Sequence, residues 1–292
     1  MHNAAEKIAE ICSRYTTERG MQGTSDWQEF YRAAEQLLNA KKVMIVTGFC
    51  IALCGIGEND GPLGSVCLTA ALERLGKQVC LVTDPYSETI LKNLIELLQL
   101  KADLYIHRNS DDIKELLAYL EDFQPNHLIG LERSGRAFDG RAYSMHAVDI
   151  TDFCPDTDPL FVRAREMQIP ISCIGDGGNE VGMGKVSVLI QSQVPKGEII
   201  CAAFSADNLL TCGVSNWGGY GLVGILSLLS HQDLLYDDGT DTAVTASMLQ
   251  SGAVDGVLKQ ISETTDSFSR MENLSILQEI RTVVHSYLEQ ST

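Results

Sequence analysis

The chain has 292 residues, 45% of them hydrophobic, with 39 acidic against 22 basic side chains and a net charge of −17. That balance disfavours nonspecific nucleic-acid binding, which needs a basic face, and no run of about eighteen apolar residues offers a membrane span. The length and apolar content suit one large α/β domain or two smaller ones.

Two amphipathic segments open the chain, roughly Ala4–Tyr15 and Asp26–Leu38, the second expected to start from a Ser25 or Thr24 cap. The start, M-H-N-A-A-E-K-I-A-E, lacks the basic and apolar regions of a signal peptide and is too acidic for a transit peptide, so the chain reads as cytoplasmic. K-K-V-M-I-V-T-G, rich in β-branched residues, reads as a buried parallel strand. After a glycine-rich loop, S-V-C-L-T-A-A-L-E-R-L-G is a buried helix ended by Gly76, and Q-V-C-L-V-T-D is the next strand. This is a βαβ unit with a right-handed crossover. Asp84-Pro85 starts another helix, with Leu91, Leu94, Ile95 and Leu98 on one stripe. A-D-L-Y-I-H is a strand, a helix from Asp111 repeats the stripe, and N-H-L-I-G-L is a strand running into E-R-S-G-R. P-L-F-V-R-A-R-E-M is a helix and P-I-S-C-I-G a strand. The alternation predicts a doubly wound, mostly parallel α/β sheet with helices on both faces.

After Lys185 the pattern changes. V-S-V-L-I-Q-S and E-I-I-C-A-A-F read as two strands of a hairpin, followed by a glycine-rich helix near Trp217–Leu229 and a tail helix over Ile276–Leu288. The expected organisation is residues 1–40 as N-terminal helices packed on one α/β domain of residues 41–292, with a smaller C-terminal α+β portion. The apolar tail helix and the glycine-rich segment offer a homo-oligomer interface, although core packing explains them as well. Nine cysteines, none spaced C-x-x-C and most in apolar runs, read as buried reduced thiols. Cys50 and Cys54 lack the neighbouring ligands of a zinc site.

Ligands of open parallel sheets sit outside the carboxyl ends of the strands. There the sequence puts Glu58 and Asp60 after the first strand, Asp84 after the second, Glu132-Arg133-Ser134-Gly135-Arg136 with Arg141 after the fourth, and Gly175-Asp176-Gly177-Gly178-Asn179-Glu180 after the fifth. Asp84 reads first as a helix cap, Asp149 and Asp152 as caps or turn residues, and Asp60-Gly61 and Asp176-Gly177 as possible turns. Glu58 and Glu180 have no equally cheap structural role. Glu132-Arg133 reads equally well as an ion pair.

The loop I-G-D-G-G-N-E-V-G-M-G-K invites a phosphate reading, and it fails. A Walker loop needs Gly at position 179 and Ser or Thr at 186, where Asn179 and Val186 stand. The dinucleotide fingerprint puts Glu180 or Asp60 where its last glycine belongs, so no nucleotide cofactor is expected. Mg²⁺ or Mn²⁺ fits better, because both take carboxylate oxygens. Four acids, Glu58, Asp60, Asp176 and Glu180, would repel one another without a cation, and glycines let them converge. Gly177, Gly178, Asn179 and Asn216 are candidate substrate contacts. In S-N-W-G-G-Y-G-L, Ser215 or Asn216 reads first as a helix cap.

G-I-G-E-N-D-G-P-L-G, L-E-R-S-G-R-A-F-D-G-R-A-Y-S-M-H-A-V-D-I-T, I-G-D-G-G-N-E-V-G-M-G-K and S-N-W-G-G-Y-G-L, in this order, resemble the C-terminal catalytic-type domain of the D-glutamate cyclase family. The resemblance runs from about Val43 to Gly256. It implies an α/β fold, a divalent-metal site, and interconversion of D-glutamate with 5-oxo-D-proline and water. It also implies that the N-terminal domain of longer members is replaced here by short helices. For that chemistry a metal would act as Lewis acid, Glu180 or Glu132 as proton acceptor, Lys185 would aid loss of the hydroxide or balance charge, and Arg133, Arg136 or Arg141 would clamp a substrate carboxylate. The partner is then a small dicarboxylate or lactam. A metal-dependent phosphatase and a non-enzymatic binder of a dicarboxylate or metal are the alternatives.

Overall fold

The computed structural model describes residues 1–290. Two helices, α1 (His2–Cys12) and α2 (Trp27–Asn39), precede β1 (Lys42–Gly48). A small antiparallel hairpin, β2 (Cys50–Ile51) and β3 (Ile56–Gly57), leads to α3 (Pro62–Arg74) and β4 (Gln78–Thr83). Then come α4 (Glu88–Leu97), β5 (Asp103–Ile106), α5 (Ile113–Phe123), β6 (His127–Arg133), α6 (Asp158–Glu166) and β7 (Ile171–Gly175). The chain continues through α7 (Ser187–Gln193), α8 (Gly197–Ile200), β8 (Asn208–Thr211), α9 (Ser215–Ser230), α10 (Asp238–Gln250) and α11 (Arg270–Gln290).

The main sheet has six parallel strands in the order β5-β4-β1-β6-β7-β8. Strand β1 shows why the sheet is doubly wound. Val43 and Ile45 point into one core with Leu68, Leu72, Leu226 and Ile280, while Met44 and Val46 point into the other with Leu116, Leu120 and Phe161. A strand apolar at every position must be covered on both faces. Helices α1, α2, α3, α9 and α11 supply the first core, and α5, α6, α7 and α8 contribute to the second. Strand order reverses between β1 and β6, so the crevice expected of such sheets opens there.

Helix α9 is the internal spine of the first layer, buried from Ser215 to Leu228. Its glycines allow close crossing. A Cβ on Gly219 would stand 2.6 Å from the Cα of Gly64 in α3, and one on Gly64 would stand 2.9 Å from the Cα of Asn216. Both helices begin at the crevice, so this crossing fixes where their first turns lie.

Several expectations need correcting. V-S-V-L-I-Q-S and E-I-I-C-A-A-F form helices α7 and α8, not a hairpin. Short apolar runs do not separate helix from strand; here Ile190 and Ile200 are buried while Val188 and Ile199 are exposed, a one-sided burial that a helical turn satisfies. The place beside β7 is taken by β8, a four-residue strand too short to stand out. The cap of α2 is Asp26, which accepts from the Gln28 amide at 2.9 Å, while Thr24 bonds to Thr211 across the core. Asp84 accepts from the amides of Tyr86 and Ser87, and α4 starts only at Glu88. No disulfide joins the described cysteines; Cys54 is the exposed one. No described helix is long and apolar enough to cross a membrane.

Two predictions follow from this packing. Gly219→Ala should lower stability in urea by about 1–3 kcal/mol through overpacking, although the same change in an exposed helix gains about 1 kcal/mol. Unchanged or raised stability would contradict the close crossing. His127 is fully buried at the start of β6, and burial pushes its pKa from 6.5 down to about 3. It stays neutral when folded while the unfolded chain takes up a proton below pH 6.5, so stability falls as pH drops through the window from about 6.5 to 3. Between pH 7 and 5 this amounts to about 2 kcal/mol. His127→Gln should lose about that much less over the same interval; an identical pH dependence would exclude the effect.

Candidate functional site

The register between β1 and β6 runs evenly to Thr47↔Leu131 and then jumps to Gly48↔Arg133. Glu132 is the residue skipped. Its backbone has φ +45, which a side chain other than glycine's rarely adopts. Such strain persists where the surroundings hold it, often at functional positions. The bulge lies at the carboxyl ends of β1 and β6, which is the switch point of the sheet. It aims the Glu132 carboxylate at the first turn of α9, where Oε2 accepts a 2.6 Å hydrogen bond from Ser215 Oγ. Gly61, at φ +97, makes room: a Cβ there would stand 2.8 Å from the Cβ of Glu132 and 2.9 Å from Thr47 Oγ1.

Asp60 meets the same helix start. Its Oδ2 accepts from the Ser215 amide at 2.8 Å and its Oδ1 from the Asn216 amide at 2.7 Å. An acid at the amino end of a helix satisfies free N–H groups and the positive end of the dipole. Asn216 completes the brace: its Oδ1 accepts from the amides of Gly61 and Gly64, and its Nδ2 donates to the Asn59 carbonyl. Asn216 thus works as a crosspiece between α3 and α9 rather than as an open substrate contact.

Asp176 arrives from the end of β7. Its Oδ1 accepts from Arg19 at 2.9 Å, and its Oδ2 is buried with no hydrogen-bond partner among the described residues. Asp60, Glu132 and Asp176 each present an oxygen, and these oxygens lie within 4.8 Å of one another. All three residues are at least 95% buried. Burial first, then the charge of Asp266, pushes Asp60 up to about 7. Burial and neighbouring acids push Glu132 well above the usual carboxylate range, and burial and Asp266 do the same to Asp176 against the opposing pull of Arg19. Three carboxylates in one dry space, one of them with an orphaned oxygen, are what a divalent cation with oxygen ligands requires. The donor set fits a metal ion.

The sequence placed Glu58, Asp60, Asp176 and Glu180 together. The structure brings Asp60 and Asp176 together, and the third acid of the group is Glu132. Glu180 turns back on its own loop: Oε1 accepts from the amides of Asp176 and Gly177, and Oε2 from that of Gly178. The glycines therefore shape the loop around Glu180, which fixes Asp176. Gly177 and Gly178 spend their amides on this bond, and Asn179 donates to the Tyr143 carbonyl at 2.7 Å. Glu58 lies beyond the group, against Gly256, whose Cβ would overlap its Oε2 at 1.9 Å. Its side chain is buried. Burial, then Asp266 and Asp60, push it well above its ordinary range.

The expected arginine clamp is used elsewhere. Arg133 is 1% exposed and donates to Asp84, Thr157, the Gly48 carbonyl and the Pro155 carbonyl, tying β6 to the ends of β1 and β4. Arg136 bonds the Gly140 carbonyl and pairs with Asp156 at 3.3 Å, and Arg141 pairs with Asp149 on the surface at 3.2 Å. Lys185 is held by Glu29 and the Asp207 carbonyl, so its ammonium is committed to the α2–β8 side. The cation that does reach the acids is Arg19, in the turn between α1 and α2, which bonds both Asp176 and Asp266. Nothing in T-T-E-R-G-M-Q-G-T marks it in the sequence. Asp266 was equally silent; the loop that carries it is organised by buried Asp255, which accepts from Val257, Leu258, Thr264 and Ser267.

The family model for "D-glutamate cyclase-like, C-terminal" matches residues 8–281. The human protein "D-glutamate cyclase, mitochondrial" is 32% identical over 244 residues, covering 78% of this chain. The aligned part is 40% of that human protein, so the chain spans less than half the length of the relative it matches. With the match reaching from α1 into α11 and taking in every acid of the group, the chain belongs to the D-glutamate cyclase-like family.

Proposed function

We propose that this chain interconverts D-glutamate with 5-oxo-D-proline and water at the Asp60–Glu132–Asp176 group, with a divalent cation, Mg²⁺ or Mn²⁺, held by those three acids. The observation that carries the reading is the buried trio at the switch point, with Asp176 Oδ2 left without a donor. Family membership supports the choice of D-glutamate and 5-oxo-D-proline as the compounds to test.

In the forward direction the substrate's amine attacks its own γ-carboxyl carbon. One C–N bond forms and one C–O bond breaks. The two protons shed by the ammonium leave with the departing oxygen as water. A divalent cation, when bound, supplies Lewis-acid polarisation of that carboxyl group. The remaining work falls to the protein. Glu132 is fixed by its bulge and by Ser215, and Asp60 by the first amides of α9, so neither has to reorganise. Glu180 keeps the Asp176 loop closed through its three amide bonds and acts as a positioning residue. Glu58, the buried acid beside the trio, is the group we assign to take a proton from the amine and return it to the leaving oxygen. Because the reaction is intramolecular, holding the bent substrate supplies much of the rate.

Incubation with D-glutamate or 5-oxo-D-proline, followed by proton NMR, should show conversion that stops on chelation and returns with Mn²⁺. Absence of conversion of either compound with Mn²⁺ or Mg²⁺ present would refute the reaction, and conversion indifferent to chelation would refute the metal. Manganese titration followed by electron paramagnetic resonance separates the roles. Asp176→Asn should weaken Mn²⁺ binding at least about tenfold. Glu58→Gln should leave Mn²⁺ binding within about threefold but cut kcat by about 10²–10⁴-fold. Intact kcat in Glu58→Gln would remove Glu58 from the proton transfer.

A further inference from the structure

We infer that Arg19 is the residue that holds the α-carboxylate of the substrate, so that the N-terminal segment before the sheet completes the site. This rests on the reading of the trio as a D-glutamate and 5-oxo-D-proline site.

The argument starts from charge. A dicarboxylate, or a lactam carrying one carboxylate, has to approach the trio of Asp60, Glu132 and Asp176 with Glu58 and Asp266 as further acidic neighbours. The reacting γ-carboxyl belongs at the trio. The α-carboxylate needs a separate cation, preferably a planar fork of N–H donors. The arginines that the sequence suggests for this task contact none of the trio: Arg133 is enclosed with four other partners, and Arg136 and Arg141 pair with Asp156 and Asp149.

Arg19 meets each requirement. Its guanidinium reaches Asp176 of the trio at 2.9 Å and Asp266 on the other side. The two bonds use two N–H groups, and an arginine has five. Its side chain is 20% exposed, against 5% and 8% for the two acids it bonds. Arg19 is therefore less enclosed than either acid it bonds, and its side chain is the more accessible member of this pairing.

Its position is also built, which a chance surface arginine lacks. Gly20, at φ +77, packs its backbone so tightly that a Cβ would stand 2.7 Å from the Gln193 carbonyl oxygen. Met21 is fully buried, and its amide bonds the Thr16 carbonyl at 2.8 Å. Thr24 reaches Thr211 at the end of β8, and Ser13 Oγ donates to the Thr211 carbonyl at 3.1 Å. The turn is pinned on both sides of Arg19, by Ser13 and Thr24, to the carboxyl end of β8. A guanidinium held by two protein acids is preoriented, and a substrate carboxylate adds to the network without a rotamer search.

Steady-state kinetics of Arg19→Lys and Arg19→Ala with 5-oxo-D-proline, with thermal midpoints taken alongside, test this. The expected result is a KM raised about 10- to 100-fold in Arg19→Ala, the loss of a charged hydrogen-bonded contact. Any fall in kcat, from the lost pairing with Asp176, should be smaller than the rise in KM, and Arg19→Lys should raise KM less than Arg19→Ala. Ethylguanidinium added to Arg19→Ala should lower KM again. An arginine that only latches the turn would lower the thermal midpoint and kcat while leaving KM unchanged and unrescued, and that outcome overturns the inference while the cyclase reading stands. Should Arg19→Ala not fold, Arg19→Lys carries the same comparison, and a KM equal to that of the wild type overturns the inference. A wild-type protein that turns over neither compound refutes the reaction itself, and the role of Arg19 with it.

Discussion

The repulsion among buried carboxylates is the constraint around which the rest of this structure is arranged. Asp60, Glu132 and Asp176 converge at the one place where strand order reverses, and Glu58, Glu180 and Asp266 stand around them. Taking a carboxylate out of water is costly unless it is paired or hydrogen-bonded. The fold answers with what it has: the first amides of α9 for Asp60, a serine hydroxyl for Glu132, three loop amides for Glu180 and one guanidinium shared by Asp176 and Asp266. These contacts leave Asp176 Oδ2 unmet. A structure with no need for a cation could have placed apolar side chains here at lower cost.

Much of the scaffold is arranged to keep these acids where they are. The tight crossing of α3 and α9 at Gly64 and Gly219 brings the turn carrying Asp60 to the start of α9. Asn216 then locks both helix starts, and Arg133 ties β6 to β1 and to Asp84 beside β4. The strain at Glu132 is held by the pairing of β6 with β1 and β7 up to Leu131 and by the resumed pairing of Arg133 with Gly48. Local conformation that would be unfavourable alone is maintained by a well-packed neighbourhood, as at many functional sites.

Most of the sheet was legible in the sequence because parallel strands buried on both faces leave continuous apolar runs, and their crossover helices leave stripes. The portion after Lys185 was not, because α7, α8 and β8 are short and half-exposed and their apolar residues follow no long period. At the site, acids at strand ends announced themselves by glycine-rich context, which is how Asp60 and Asp176 came to notice. Which acids share one space depends on quantities no spacing encodes. Glu180 looks as available as Asp176 until its loop folds back on it, and Glu132 looks like half of an ion pair until the bulge turns it away from Arg133. Arg19 lies over a hundred residues from the acids it serves, in a turn with no motif.

The account depends most directly on whether Asp60, Glu132 and Asp176 share one cation. Crystals of the protein grown or soaked with Mn²⁺ and measured near the manganese absorption edge would answer it. A single anomalous peak within bonding distance of oxygens from all three residues is the expected result. An anomalous map without a peak there, or with manganese only at surface acids, would contradict the account.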